Sequence, residues 1–505
     1  MNAKLNVYPP SIMNLSQSIR TGVKWLIIGN TGSRILDFAF GVILARLLVP
    51  ADFGMIVTVQ VFTGFVSMLT SGGMGQALIR AKEVDDNDFH AVFTLQLVLG
   101  ALIYLGFFLA APWFAEFFEN PLYGDLLQVS ALSFLMRPFA YMHGSWLNRE
   151  MDFKRRSLIG IISGVVTGIS SVLMARAGMG VWSLTLSGLA GGLVRNILLA
   201  RVTALRLRLN FDLAIMRRHG SYGSKIVAND ILGHLKNEGL KLILSKIAGP
   251  AFLGLFNKAD SLHRLPYWML AQPVAQPVFR AMSKVQDDLD QTRYMFYRVI
   301  TLLMAYILPF YVGLWWVAEP FIGVVYGAQW LPAAEPLRIL ALAGFFYIIG
   351  RPCGVVLMAQ NRLFQEMIAQ AAILVVTLGA CLIGLKWGLE GVSWSVLGSQ
   401  VFATTYLYIL VYRTIPTRIM ELVRAVAPGL KLNSLLFLVL ALTDSLTGDL
   451  ITTNPALYLL FMTIPGSLVY LAAFLLLPIT ALQSESARWR KTINGGLSFV
   501  YRSLT

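Results

Sequence analysis

Charge is scarce in this chain and cysteine almost absent. Of 505 residues only 13% are Asp, Glu, Lys or Arg, while 56% are hydrophobic. A mean hydropathy of +0.66 is far too apolar for a soluble domain of this length, so the chain reads as an all-α polytopic membrane protein. The two cysteines, Cys353 and Cys381, each lie inside an apolar run, which excludes a disulfide framework and a paired metal-ligand motif. Five histidines are scattered without ligand spacing, no enzyme motif stands out, and no extramembrane stretch is long enough to build a catalytic face. The chain is therefore not expected to be an enzyme or to hold a cofactor or metal. A signal-peptide core and cleavage site are missing from MNAKLNVYPPSIMNLSQSIR, so the first apolar run is expected to stay as a spanning helix.

What is there in quantity is apolar sequence punctuated by basic loops. On a requirement of roughly 20 apolar residues per span, fourteen spanning helices are predicted, starting near Gly22, Phe53, His90, Gly124, Ser157, Met179, Tyr222, Ala251, Tyr294, Ala334, Leu363, Gly388, Lys431 and Pro455. The net charge of +15 sits in short clusters between these runs and not in one stripe, which argues for topology and against a nucleic-acid partner. Every second loop is basic, from Arg80/Lys82 through Arg149/Lys154/Arg155/Arg156 to Arg488/Arg490/Lys491, whereas the stretch Trp113 to Asp125 is purely acidic. The positive-inside rule then places both termini in the cytoplasm.

The chain also repeats itself. LLVPADFG (47–54) and KIAGPAFLG (246–254) superpose at an offset of 200, which also matches Gln76, Arg80 and Ala81 with Gln276, Arg280 and Ala281. Arg137-Pro138 and Arg351-Pro352 correspond at an offset of 214. A duplicated six-helix unit is expected, both copies pointing the same way because each has an even number of spans. The organisation predicted is a cytoplasmic tail 1–20, a bundle 21–201, a basic cytoplasmic linker 202–220 that either lies on the anionic inner leaflet or is a plain loop, a second bundle 221–412, two additional helices 413–480 and a basic cytoplasmic tail 481–505.

Intramembrane charges cost roughly 2.5 to 3.5 kcal/mol each on insertion scales and therefore tend to face a bundle interior or a water-filled cavity. Asn30, Arg34 and Asp37 share one helix face, continued by Gly41. The offset of 200 carries this stripe to Asp230, His234, Asn237 and Lys241, so two polar stripes would meet across a central cavity if the halves face one another. Arg34 and Asp37, one turn apart, could equally form a local ion pair. Asp37, Asp230 and Glu238 are candidate structural or ion-coupling acids, with Asp230 the better site for a proton because no arginine adjoins it. Arg137, Lys258, Arg264 and Arg351 add cations at membrane depth, and Asp260 and Arg264 can pair at i, i+4. A cationic lining suits an anionic passenger such as phosphate or pyrophosphate. The proline-rich run 265–280 is the expected flexing helix, and Trp315, Trp316 and Trp330 read as an interfacial belt.

LLVPADFG, GMGQALIR (73–80), LNREMDFKRRS (147–157), GVWSL (180–184), GPAFLGLF (249–256) and GAQWLPAAEPLRILAL (327–342) together resemble the Wzx-like oligosaccharide flippases of the polysaccharide transport family, in the multidrug/oligosaccharidyl-lipid/polysaccharide exporter superfamily. The resemblance spans residues 18–413. It implies two pseudo-symmetric six-helix bundles around a central cavity plus two C-terminal helices, and a bacterial inner-membrane location. It also implies flipping of undecaprenyl-diphosphate-linked oligosaccharide repeat units by alternating access, with a polymerase and export machinery as partners, while the acids Asp37, Asp230 and Glu238 depart from a purely cationic lining and leave room for H+ or Na+ as coupling ion. The cationic cavity it implies falls on Arg34, Arg137, His234, Lys241, Lys258, Arg264 and Arg351. A cation-coupled multidrug exporter of the same superfamily would want an acidic cavity, and a membrane glycan polymerase would need a larger outer loop than 113–125.

Overall fold

A computed structural model describes residues 12–71, 74, 78 and 84–492, with the side chains of 12–23, 27, 69–71, 219–233, 235–237 and 273 excepted. The tails 1–11 and 493–505, Arg80, Lys82 and most of GMGQALIR lie outside the described residues, as do the side chains of Asp230 and Asn237. Eleven described stretches are long and apolar enough to cross a membrane by length and composition. Two of them, 238–270 and 363–414, each contain a turn, and two more polar helices occupy 122–149 between the third and fourth of these stretches. Among the described residues the count is approximately consistent with the fourteen predicted spans.

The first unit of the chain, 1–254, is built from α1 (Ile12–Leu47), α2 (Pro50–Ser71), α3 (Asp86–Phe117), α4 (Leu122–Ala131), α5 (Ser133–Arg149), α6 (Phe153–Arg176), α7 (Trp182–Val202) and α8, the 213–248 limb of the helix Leu213–Leu270. Local chemistry sets the ends. Asp85 and Asp88 form a reciprocal capping box that opens α3, and Asp152 caps α6 through the backbone N–H of Arg155. Gly249, at φ 82°, breaks the long helix, and Pro250 follows where its missing N–H costs nothing. Helix α1 packs on α6 through close approaches: a Cβ at Gly29 would lie 2.5 Å from Ser157 Oγ, and one at Gly168 would lie 2.1 Å from the Phe40 ring.

The connection at 203–212 is extended, not helical, and packs against the bundle. In ALRLRL, alternation puts Leu205 and Leu207 against Met74, Leu78 and Phe89, while Arg206 and Arg208 stay exposed. Asn210 N–H donates to Thr94 Oγ1 at 2.8 Å, and Arg218 pairs with Asp88. By packing, the chain divides after Gly254, well beyond the 202–220 connection, because α8 lies against α2.

That contact is reciprocal. A Cβ at Gly54 would lie 1.7 Å from Pro250 O, and one at Gly254 would lie 1.9 Å from Pro50 O. The two repeat-related Pro-Ala-x-x-Gly turns are therefore packed backbone to backbone, with glycine the residue type that permits it. One turn deeper, Thr58 Oγ1 donates to Gly54 O at 2.9 Å, which leaves Ser245 to donate to Thr58 at 2.5 Å. Lys246 closes the group by donating to Phe117 O and, at 2.8 Å, to Glu119. The adjacent ammonium holds the exposed Glu119 carboxyl below its ordinary range.

The second unit, 255–505, contains α9 (250–270, from residue 255), α10 (Gln272–Lys284), α11 (Leu289–Tyr306), α12 (Leu308–Val325), α13 (Ala334–Ala359), α14 (Leu363–Gly384), α15 (Gly388–Thr414), α16 (Ile419–Thr447), α17 (Pro455–Leu476) and a short α18 at 483–492. Its core runs through Met282, Phe296, Ile300, Met304, Ile348 and Val356. Helix α13, the most enclosed, is buried along most of its length. The break at Ala271 between α9 and α10 falls inside the proline-rich run read as a flexing helix.

Candidate functional site

Helix α1 directs Asn30, Arg34 and Asp37 to the exposed side, away from its α6 contact, and Gly41 has open space beside it. The stripe read from the sequence is thus one face, and Arg34 and Asp37 are close enough to interact electrostatically. On α8, His234 is engaged with α2: its Nε2 lies 3.1 Å from Val61 O, in space opened by Gly64, where a Cβ would sit 3.0 Å from the ring. Lys241 forms an ion pair with Glu238 at 2.8 Å, so this cation and this acid belong to each other. Lys241→Gln is expected to lower the amount of protein in the membrane by leaving Glu238 unpaired, and the added change Glu238→Gln should restore it. Quantitative blotting of both variants checks this.

Arg137 and Arg351 differ from these. Each is half-buried and directly precedes a helix-internal proline, about 22 Å along from the start of α4 and about 26 Å along from the start of α13 at the helical rise. Arg137 lies over the Phe134 ring at 4.9 Å and has no carboxylate partner among the described residues. Arg351 lies over the Tyr347 ring at 4.6 Å and donates to the Tyr347 hydroxyl, again with no acid among the described residues. Pro138 leaves Phe134 O without its helical N–H, and Gly100 of α3 closes on that carbonyl, its Cβ position being 2.6 Å away. Arginine over an aromatic face can present its planar guanidinium edge to an anionic acceptor with two adjacent oxygens.

In the second unit Lys258 is enclosed by Tyr326 and Trp330, at 4.5 and 4.7 Å from their ring centroids. Trp330 is fully buried, which removes it from the interfacial belt read from the sequence. Arg264 Nε donates to Asp260 Oδ1 at 2.8 Å, the i, i+4 pair expected. Sequence reasoning missed the aromatic setting of these cations. Tyr347, one turn before Arg351, was the signal available for it, whereas Tyr267 and Tyr311 carried none. On the same helix as Arg137, the His143 ring is buried and meets the Thr203 hydroxyl at 2.6 Å.

A family model described as polysaccharide biosynthesis protein matches residues 43–335. The chain belongs to that family. Among curated relatives of this polysaccharide biosynthesis protein is the lipopolysaccharide biosynthesis protein WzxC of Escherichia coli (strain K12), 24% identical over 356 residues, covering 69% of this chain and 72% of that one. The succinoglycan biosynthesis transport protein ExoT of Rhizobium meliloti (strain 1021) is 26% identical over 331 residues, 65% of this chain and 66% of that one. Among solved structures, the lipid II flippase MurJ in an inward closed conformation aligns with a TM-score of 0.71 at 18% identity, covering 89% of this chain and 97% of that one. An inward-facing multidrug resistance MATE family transporter of the MOP superfamily aligns at 0.60 and 15% identity, over 75% and 93%. This family member shares its fold with these two structures.

Proposed function

We propose that the protein is a flippase that carries undecaprenyl-diphosphate-linked oligosaccharide repeat units from the cytoplasmic to the periplasmic leaflet of the bacterial inner membrane. It works by alternating access in exopolysaccharide, capsule or O-antigen biosynthesis, with both termini cytoplasmic, and it is a transporter, not an enzyme. The observation that carries the reading is the pair Arg137 and Arg351: repeat-related, half-buried at membrane depth, and without a carboxylate partner among the described residues. An uncompensated arginine there is costly unless an anionic passenger uses it. Family membership and the names of WzxC and ExoT support the class of passenger. The prenyl tail stays in lipid while the cations hold the diphosphate and glycan acids. Cells in which the gene is deleted should accumulate lipid-linked repeat units on the cytoplasmic side, measured by extraction and mass spectrometry of the lipid-linked pool. Normal surface polysaccharide in those cells would refute the reading.

A further inference from the structure

Helix α9 presents three titratable residues within five positions: Asp260, His263 and Arg264. Asp260 and His263 are 4% and 5% exposed, whereas Arg264, bound to Asp260, keeps 32% of its side chain exposed. Among the described residues, His263 Nδ1 has no hydrogen-bond partner. Neither has the hydroxyl of Tyr311 on α12, whose ring centroid lies 5.3 Å from the imidazole. From α13, Tyr347 faces His263 at 6.1 Å and receives a hydrogen bond from Arg351. Tyr267, one turn along α9, packs edge-on against Tyr347 at 4.9 Å. Buried polar atoms without partners are rare in folded proteins, and two of them on adjoining rings beside a buried carboxylate mark a site that gains a partner in another state.

We propose that Asp260, His263 and Arg264 form a proton-operated switch that either holds Arg264 on its own helix or releases it to an anionic phosphate group. The identity of that group as the diphosphate of a lipid-linked passenger rests on the function proposed above. Neutral imidazole offers one N–H and one lone pair, whereas imidazolium carries two N–H groups and needs an acceptor at each. Residues three apart share a helix face, so Asp260 is the anionic acceptor within reach of protonated His263, and the Tyr311 hydroxyl is a neutral one. Among the described residues, the other titratable or charged groups of this cluster are Arg264, Tyr347 and, through Tyr347, Tyr267 and Arg351, none of them a carboxylate. When a proton binds His263, Asp260 exchanges one cation for another. The guanidinium of Arg264 then leaves Asp260 and grips phosphate through two parallel N–H bonds. One proton enters, no bond is broken, and the site gains one positive charge as an anion docks.

The test is binding of inorganic pyrophosphate to the purified full-length protein, by calorimetry at pH 8 and pH 6, with each variant compared at the same pH so that protonation of the probe cancels. Wild-type affinity should rise by about tenfold more than that of His263→Gln as the pH falls, an ordinary coupling magnitude. Asp260→Asn should bind as tightly at pH 8 as wild type does at pH 6, and Arg264→Gln should bind weakly at both. Identical pH dependence in wild type and His263→Gln, or no gain in Asp260→Asn at pH 8, would overturn the switch. Should His263→Gln fail to fold, the Asp260→Asn comparison decides by itself. Absence of pyrophosphate binding by wild type at either pH also overturns it, while the flippase reading still stands or falls on the lipid-linked pool of the deletion strain.

Discussion

Gly54→Ala should cut surface polysaccharide output by about tenfold or more, because overpacking of this kind typically costs 1 to 3 kcal/mol and here the clash is with backbone. The added Cβ would lie 1.7 Å from Pro250 O, less than a van der Waals contact, and no side-chain rotation relieves it. The turns at 47–54 and 246–254 would have to part. A transporter that alternates between states loses a state when its defining contact is removed, and the population shifts by the full cost of that contact. Gly254→Ala should act alike, since its Cβ would meet Pro50 O at 1.9 Å, whereas Gly41→Ala, with open space beside it, should export normally. Output is measured as polysaccharide per unit of membrane-embedded protein. A cysteine pair separates loss of one state from loss of the fold: Thr58→Cys with Ser245→Cys, whose hydroxyl oxygens are 2.5 Å apart, should form a disulfide on oxidation, stop export, and recover it on reduction. Adding Gly54→Ala to this pair should suppress the crosslink. Wild-type export by Gly54→Ala would remove the apposed turns from the working cycle.

The second large effect is expected at the two arginines. Arg137→Gln or Arg351→Gln should each reduce export by about tenfold, and the double substitution further, because a hydrogen bond to a charged group is worth about 1.5 to 3 kcal/mol. Lysine at either position keeps the charge but loses the planar fork, so it should restore only part of the activity. Arg34→Ala should behave like the glutamine variants. Membrane levels of the Arg137 and Arg351 variants should hold, because neither has an acid among the described residues that would be left unpaired. This contrasts with Lys241, whose loss strands Glu238. The readouts are export and the lipid-linked pool in the same cells. Wild-type export by the double variant would make both arginines packing residues and withdraw the support they lend to an anionic passenger.

Much of the fold was legible because hydropathy and helix punctuation are local. The helices that begin at Pro50, Asp86, Leu122, Phe153, Leu363, Gly388 and Pro455 start within a few residues of the predicted spans. Others run longer than their apolar core: α1 begins at Ile12 and α16 at Ile419, since a helix continues past the point where its side chains turn polar. The packing of the linker was not legible, for a different reason. A basic segment with every second residue apolar can lie on a lipid surface or on its own bundle, and the partner surface, not the pattern, selects between them. Here Met74, Leu78 and Phe89 provide that surface.

The charges divide in the same way. Spacing along one helix was enough to pair Asp260 with Arg264 and to put Asn30, Arg34 and Asp37 on one face, because both follow from 3.6 residues per turn. It was also enough to align the two Pro-Ala-x-x-Gly turns and the two Arg-Pro steps as copies. That the aligned turns pack against each other, that His234 binds α2, and that Arg137 and Arg351 rest on aromatic rings without acids were decided only by tertiary packing. The reason is physical. A helix fixes the direction in which a side chain leaves it, but whether a charge is neutralised depends on what a second helix, distant in sequence, brings to meet it.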